Sequence, residues 1–316
     1  MARSNPACAK TEVKHAMSYV SFVKINGNSS TAMKHAIQES LELIGYSIKD
    51  QIQRAVIKPN LCYYWDYSTG QTTDPKFIAA MIEVIRERVS PETDISIVES
   101  DASAMKCKHA YKMLGYEKIS QEYGVRLVNL SEEKSEDLDV VAAGQPFRIK
   151  VPNIIRDADL RISVPKIKYT MEEIKITCAL KNIFGCNPYP KKFKYHPWLN
   201  EAIVALNKAM KFDLCVVDGN VVSGIQPRRL GLAMASTDPV AIDVAAAKIA
   251  GVNPRKIPYI EIARKEGLGQ DSFVEKGLPL KYFAIRYPRK DVGKKFIGRA
   301  YKIAVITGLT KKLGLT

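Results

Sequence analysis

At 316 residues with 46% hydrophobic side chains, the chain is long enough for one large α/β domain or two modest ones, and too apolar for a disordered protein. Its formal net charge of +15 is uneven: residues 281–316 hold ten Lys or Arg against Asp291 alone and so carry +9, which leaves +6 on the first 280 residues. No apolar run approaches the ~18 residues of a membrane span. Residues 1–17 lack the apolar core of a secretory signal, so the expected location is the cytoplasm, with peripheral attachment to a membrane open through the basic end.

Taken in order, runs rich in Val and Ile alternate with longer segments of helical period. Strands are predicted at 19–25, 55–57, 95–99, 125–129, 160–164, 214–218 and 232–235. Helices are predicted at 31–45, 75–89, 109–114, 118–123, 198–210, 239–251 and 257–266. Residues 137–151 read as a two-stranded excursion. This is an α/β pattern: a mostly parallel sheet with helices on both faces, in one domain over 1–280. The excursion is a potential divide between lobes at about 1–136 and 152–280, and a basic amphipathic tail follows at 281–316.

Four predicted strands end in polar or charged groups: Lys58 and Asn60 around Pro59, Glu99 and Asp101, Lys166 and Lys168 after Pro165, and Asp218 before Gly219. In a parallel sheet such ends share one edge, where ligands of α/β proteins bind. Between Arg161 and Lys194 there are eight Lys or Arg against Glu172 and Glu173, with Lys175, Lys181, Asn182 and Cys186 inside that stretch. Clustered ammonium groups repel one another, so they either spread over a solvated face or gather around a carboxylate or phosphate. Glu99, Asp101 and Asp243 are the oxygen ligands on offer for a divalent cation such as Mg²⁺.

The tripeptide Thr-Asp-Pro opens two predicted helices, at Thr73-Asp74-Pro75 and Thr237-Asp238-Pro239. Asp as N-cap with Pro in the first turn accounts for both structurally, while Thr73 and Thr237 would touch substrate if the two turns faced one crevice. Six cysteines show no CxxC pair and read as reduced thiols; a metal or cluster built from Cys62, Cys178 and Cys186 is the less favoured reading. The four histidines have no zinc-ligand spacing, although His196 follows the basic run 191–194 where a general acid would help. No dinucleotide, P-loop or nucleophile-elbow motif is present. The tail interleaves apolar residues with lysines and arginines, which suits an anionic membrane surface, RNA phosphates, or packing on the chain's own body.

Six segments in succession resemble the domain-of-unknown-function family number 362: Ile57-Lys58-Pro59-Asn60-Leu61, Thr72-Thr73-Asp74-Pro75, Val164-Pro165-Lys166-Ile167-Lys168, 179–186 (ALKNIFGC), Val217-Asp218-Gly219 and 236–243 (STDPVAID). The resemblance spans about residues 50–270 and implies a cytoplasmic α/β protein of a family often fused to iron-sulfur ferredoxin modules and without an assigned reaction. This chain has no cysteine-rich ferredoxin segment, and Tyr169 stands where the family often carries a histidine, so an iron-sulfur cluster is not expected.

The expected function is an enzyme acting on a small anionic ligand, with Lys58, Lys181 and Asp218 catalytic and Asn60, Thr73, Lys166, Lys168, Asn182 and Thr237 binding substrate. An RNA-binding or ribonucleoprotein role through the basic stretch and tail is the alternative, and an iron-sulfur-linked redox role comes after it.

Overall fold

In the computed structural model the described residues are 17–170, 175–224 and 226–289. The chain opens on strand β1 (Tyr19–Lys24) and helix α1 (Ser30–Leu43), followed by β2 (Arg54–Pro59), α2 (Pro75–Arg88) and β3 (Asp94–Glu99). Two short helices, α3 (Cys107–Met113) and α4 (Tyr116–Tyr123), precede β4 (Arg126–Asn129). A hairpin of β5 (Ser135–Ala142) and β6 (Gln145–Pro152) and a single turn, α5 (Asn153–Arg156), lead into β7 (Leu160–Val164). Next come the two-residue strands β8 (Lys168–Tyr169) and β9 (Ile176–Thr177), then α6 (Ala179–Ile183) and α7 (Leu199–Ala209). The long pair β10 (Leu214–Val222) and β11 (Arg228–Ser236) is followed by α8 (Pro239–Ile249), α9 (Pro258–Lys265), β12 (Val274–Gly277) and α10 (Leu280–Ala284).

Eight strands form one sheet in the order β12-β1-β11-β10-β7-β2-β3-β4. Of these only β11 runs against the rest, pairing antiparallel with both β1 and β10. Strands such as AVI in β2 and ISIV in β3 are buried throughout, as expected where helices cover both faces. On one face Met33, Ile37, Phe77, Ile78 and Tyr116 from α1, α2 and α4 form a core; on the other Ile203, Val240, Tyr259 and Phe283 from α7 to α10 do so. The helix starts follow from local chemistry. The Asp74 carboxylate accepts from the Lys76 N–H and the Asp238 carboxylate from the Ala241 N–H, each with Pro in the first turn.

The strand order has a functional consequence. From β2 the chain moves outward through β3 to β4, then returns by way of the β5–β6 hairpin to lay β7 on the other side of β2 and β10 beyond it. The direction of winding therefore reverses between β2 and β7, the place where an open parallel sheet leaves a crevice at its carboxyl edge.

Three differences from the sequence reading have physical causes. The potential divide at the hairpin does not split the sheet, because β1 and β2 pair with strands from the second half. Strand β10 continues past Asp218 to Val222, since Gly219 lies so close to β11 that an added Cβ would stand 2.9 Å from Leu232. The domain also runs beyond 280: Phe283 is buried, and the Tyr287 hydroxyl donates to Ser223 and Ile167 carbonyls at 3.1 and 3.2 Å. The rest of the basic tail, 290–316, lies outside the described residues. Strand β12 escaped notice because its VEKG sequence, at the sheet edge, has one apolar residue and no alternation to read.

Candidate functional site

At the winding reversal a cavity of about 540 Å³ opens, lined by Lys58, Asn60, Glu99, Lys168, Lys181, Asn182 and Lys192 among others. Each comes from a different part of the chain. Lys58 and Asn60 follow from β2, Glu99 ends β3, Lys168 lies just past β7, Lys181 and Asn182 ride on α6, and Lys192 opens a 3₁₀ segment at 192–198.

A chain of polar contacts fixes the floor. The Asn182 amide donates to the Lys58 carbonyl and the Ser163 hydroxyl, each at 3.0 Å, and its own oxygen accepts from the Asn60 amide at 3.0 Å. The Asn60 side-chain oxygen in turn accepts from Lys168 Nζ at 2.7 Å, and the Gln71 carbonyl does so at 3.1 Å. Thr73 closes the frame behind it, donating to the Val164 carbonyl at 2.9 Å and accepting from the Asn60 N–H at 2.8 Å. Thr73 thus joins the ends of β2 and β7 rather than lining the cavity.

The four lysines differ in how their charge is met. Lys58 Nζ lies 2.6 Å from Glu99 Oε2 and 2.6 Å from the Pro59 carbonyl, a compensated buried pair. Gly185 makes that pair possible, because a Cβ there would stand 2.8 Å from Glu99 and 2.9 Å from the Lys58 ammonium. Lys192 donates to the Ser100 hydroxyl at 2.6 Å, Lys168 to the Asn60 and Gln71 oxygens, and Lys181 lies over the Phe184 ring at 4.1 Å. None of these last three has a carboxylate in ion-pair range among the described residues. Desolvation lowers the pKa of all three, and the Lys168 and Lys192 charges help to bring Lys181 down to about 7.

Several residues expected at the site are elsewhere. Lys166 is 1% exposed and pairs at 3.0 Å with Asp218, itself 0% exposed. Asp218 also accepts from the Asp74 and Asn220 N–H groups, at 2.8 and 3.0 Å. The pair is a strut between β7, β10 and the start of α2, not part of the cavity lining. Thr237 is exposed beside a different cavity of about 200 Å³, because β11 is antiparallel and delivers the second Thr-Asp-Pro turn to the opposite sheet edge. The two turns therefore do not face one crevice.

The three carboxylates offered for a cation have separate partners. Glu99 holds Lys58. Asp101 accepts from Lys106 at 2.7 Å and from the Cys107 N–H at 2.9 Å, capping α3. Asp243 accepts from the Leu180 N–H and the Tyr259 hydroxyl, each at 2.8 Å, and burial pushes its carboxyl up to about 7. Asp243 thereby supplies the N-terminal cap that α6 lacks locally, which is how α8 sets the position of Lys181 and Asn182. Among the described residues no cluster of three or more His, Cys, Asp or Glu could hold a metal ion.

Cys107, Cys178, Cys186 and Cys215 are buried free thiols, and Cys62 is half-buried in the cavity wall. His196 also lines the cavity. Sequence reasoning passed over Lys192 and Ser100 as site residues. The basic run 191–194 was the available signal for Lys192, but only the 3₁₀ turn aims that lysine inward while Lys191 and Lys194 face solvent.

Comparison with known proteins gives likenesses in structure and in sequence. The lactate racemase apoprotein from Thermoanaerobacterium thermosaccharolyticum superposes with a TM-score of 0.46 at 11% identity, over 75% of this chain and 57% of that one. A thylakoid-associated protein of Synechocystis sp. is 32% identical over 125 residues, so the match takes in 35% of this chain and 39% of that relative's length. No helix among the described residues is long and apolar enough to cross a membrane. The family model described as "Domain of unknown function (DUF362)" matches residues 55–248, which carry β2 through α8 and every lysine of the cavity, and the chain belongs to that family.

Proposed function

We propose that the chain is an enzyme acting on a small anionic substrate, a carboxylate or a phosphate, held at the winding reversal by Lys168, Lys181 and Lys192. One observation carries this reading: among the described residues, four lysines line one cavity whose lining includes a single carboxylate, Glu99, already bound to Lys58. Three amines that have no carboxylate in ion-pair range among the described residues and lose hydration together are stabilised by a negative guest, and a guest of metabolite size fits a cavity of about 540 Å³. Asn60, itself anchored to Asn182, holds Lys168, and the two asparagines orient the ligand. Lys181 is the reacting group in this reading. With its pKa near 7, Nζ both takes and gives a proton at neutral pH, which is the property a general acid or base needs. Lys58, compensated by Glu99, contributes a fixed positive end to the site.

Isothermal titration with inorganic phosphate and with oxalate tests the proposal. Binding by the natural chain that falls about tenfold or more in Lys181→Met, the loss of roughly 1.4 kcal/mol, supports it. No binding of either anion, or equal binding by the variant, counts against it.

A second reading concerns location. The ten basic residues of 281–316 suit an anionic membrane surface, and the similar Synechocystis protein is thylakoid-associated. Flotation with vesicles of acidic and of neutral lipid checks it: attachment to acidic vesicles alone, lost on removing residues 290–316, is the expected pattern. Salt-sensitive retention by RNA, with none by vesicles, would favour a nucleic-acid role instead.

A further inference from the structure

The lysine-lined cavity has a second chemical character that the anion reading does not use. Tyr63 and Trp65 line it too, yet they are 46% and 48% exposed, so they stand at its mouth. Their ring centroids are 5.2 Å apart and tilted by 55°. The turn Ala102–Met105 contributes small and apolar side chains to the same lining. The two segments are tied together, since the Tyr64 hydroxyl accepts from the Lys106 N–H at 3.0 Å.

The backbone adds an independent observation. Tyr63 has φ of +54°, in the left-handed region that a bulky side chain rarely adopts. The Trp65 N–H donates to the Cys62 carbonyl at 3.3 Å, closing a tight turn around it. Such strain persists where surrounding structure over-determines a conformation, and it clusters at ligand-contacting segments. Here it turns two aromatic rings toward a polar cavity instead of into the core.

Building on the anion reading, we infer that the guest of this crevice carries a flat aromatic group as well as its negative charge: Lys168, Lys181 and Lys192 take the charge, and the Tyr63–Trp65 pair takes the ring. Offset or tilted aromatic contact with a planar ligand covers apolar surface that water otherwise meets, and it discriminates by shape rather than by charge. The substrate class is thereby narrowed from any small carboxylate or phosphate to aryl anions, whose ring would lie against the aromatic pair.

The experiment compares phenyl phosphate, methyl phosphate and inorganic phosphate by calorimetry on the full chain. Trp65→Ala and Trp65→Phe are measured beside the natural chain; the residue is solvent-exposed, and circular dichroism confirms that each variant folds. Because the chain has two tryptophans, a Trp198→Phe background makes Trp65 the only indole and its fluorescence a direct reporter of ring contact. The expected result is phenyl phosphate binding about tenfold tighter than methyl phosphate, in the range of a single stacked ring. That preference should disappear in Trp65→Ala, persist largely in Trp65→Phe, and leave inorganic phosphate affinity unchanged throughout. Equal affinity for phenyl and methyl phosphate, or a preference that survives Trp65→Ala, overturns the aromatic inference while the anion reading stands. Failure of the three phosphates and of oxalate alike to bind the natural chain defeats the anion reading, and the inference with it; oxalate binding without any phosphate binding overturns the inference as tested.

Discussion

Lys166 and Lys168 are two residues apart and have opposite fates. Lys166 turns into the sheet and meets Asp218 at 3.0 Å, with that carboxylate further satisfied by two backbone N–H groups. Lys168 turns into the cavity and meets the oxygens of Asn60 and Gln71 and the Cys62 side chain, with no carboxylate in ion-pair range among the described residues. The first is a charge neutralised by the fold. The second is a charge whose partner, in our account, arrives from solution. A basic segment is thus two populations, and what separates them is whether a carboxylate lies in reach.

The strongest way to break this comparison is to unbalance the strut. Asp218→Asn leaves Lys166 charged and without a counterion in a dry site, so denaturant unfolding should show a loss of roughly 3–5 kcal/mol. Lys166→Met combined with Asp218→Asn should recover a good part of that loss, because the orphaned charge is gone.

Next in size is Gly185→Ala. The new methyl group would meet both Glu99 and the Lys58 ammonium, and overpacking of this kind costs about 1–3 kcal/mol. Crystals of that variant should show the Lys58–Glu99 pair displaced.

Lys168→Met sharpens the contrast from the other side. It removes an uncompensated, partly desolvated charge, so stability should change by less than about 1 kcal/mol or improve, since desolvation of that charge no longer opposes folding. Phosphate affinity measured by calorimetry should still fall about tenfold.

The smallest effect is a pH slope. Lys181 has a folded pKa near 7 against an ordinary value of 10.5, so between those limits the unfolded chain binds more protons than the folded one. Stability should therefore rise with pH across that window, and Lys181→Met should flatten the rise. Anion affinity should move the opposite way, weakening as pH climbs above about 7, because the protonated amine is the form that holds an anion. A pH titration by denaturation and by calorimetry reads both trends.

Much of the frame was legible because parallel strands buried on both faces read as plain Val/Ile runs, and because Asp-Pro marks a helix start wherever it occurs. The convergence of Lys58, Asn60 and Lys168 followed from placing strand ends at one edge, a rule that needs no distances, whereas Lys181 and Asn182, on α6, were singled out by the basic stretch that contains them. The same rule misplaced Thr237 and Asp218. Strand direction is not written in a short apolar run such as 232–235, so the reversal of β11 was invisible, and Asp218-Gly219 reads as a turn unless the close approach of Leu232 is known. Asp243 looked like a possible metal ligand because the cap it supplies to α6 joins residues 63 positions apart. Tyr63 and Trp65 carried no periodic signal, and nothing short of the loop's geometry joins them to the lysines.

The central claim is that amines from the β7 exit, α6 and the 192–198 turn surround one negatively charged guest. Crystals soaked in selenate, located by the anomalous signal of selenium, test it most directly. The account predicts a peak within hydrogen-bonding distance of Lys168, Lys181 and Lys192 that vanishes in Lys181→Met crystals. Selenate found only on the outer surface, with the crevice occupied by water alone in the natural chain, would contradict it.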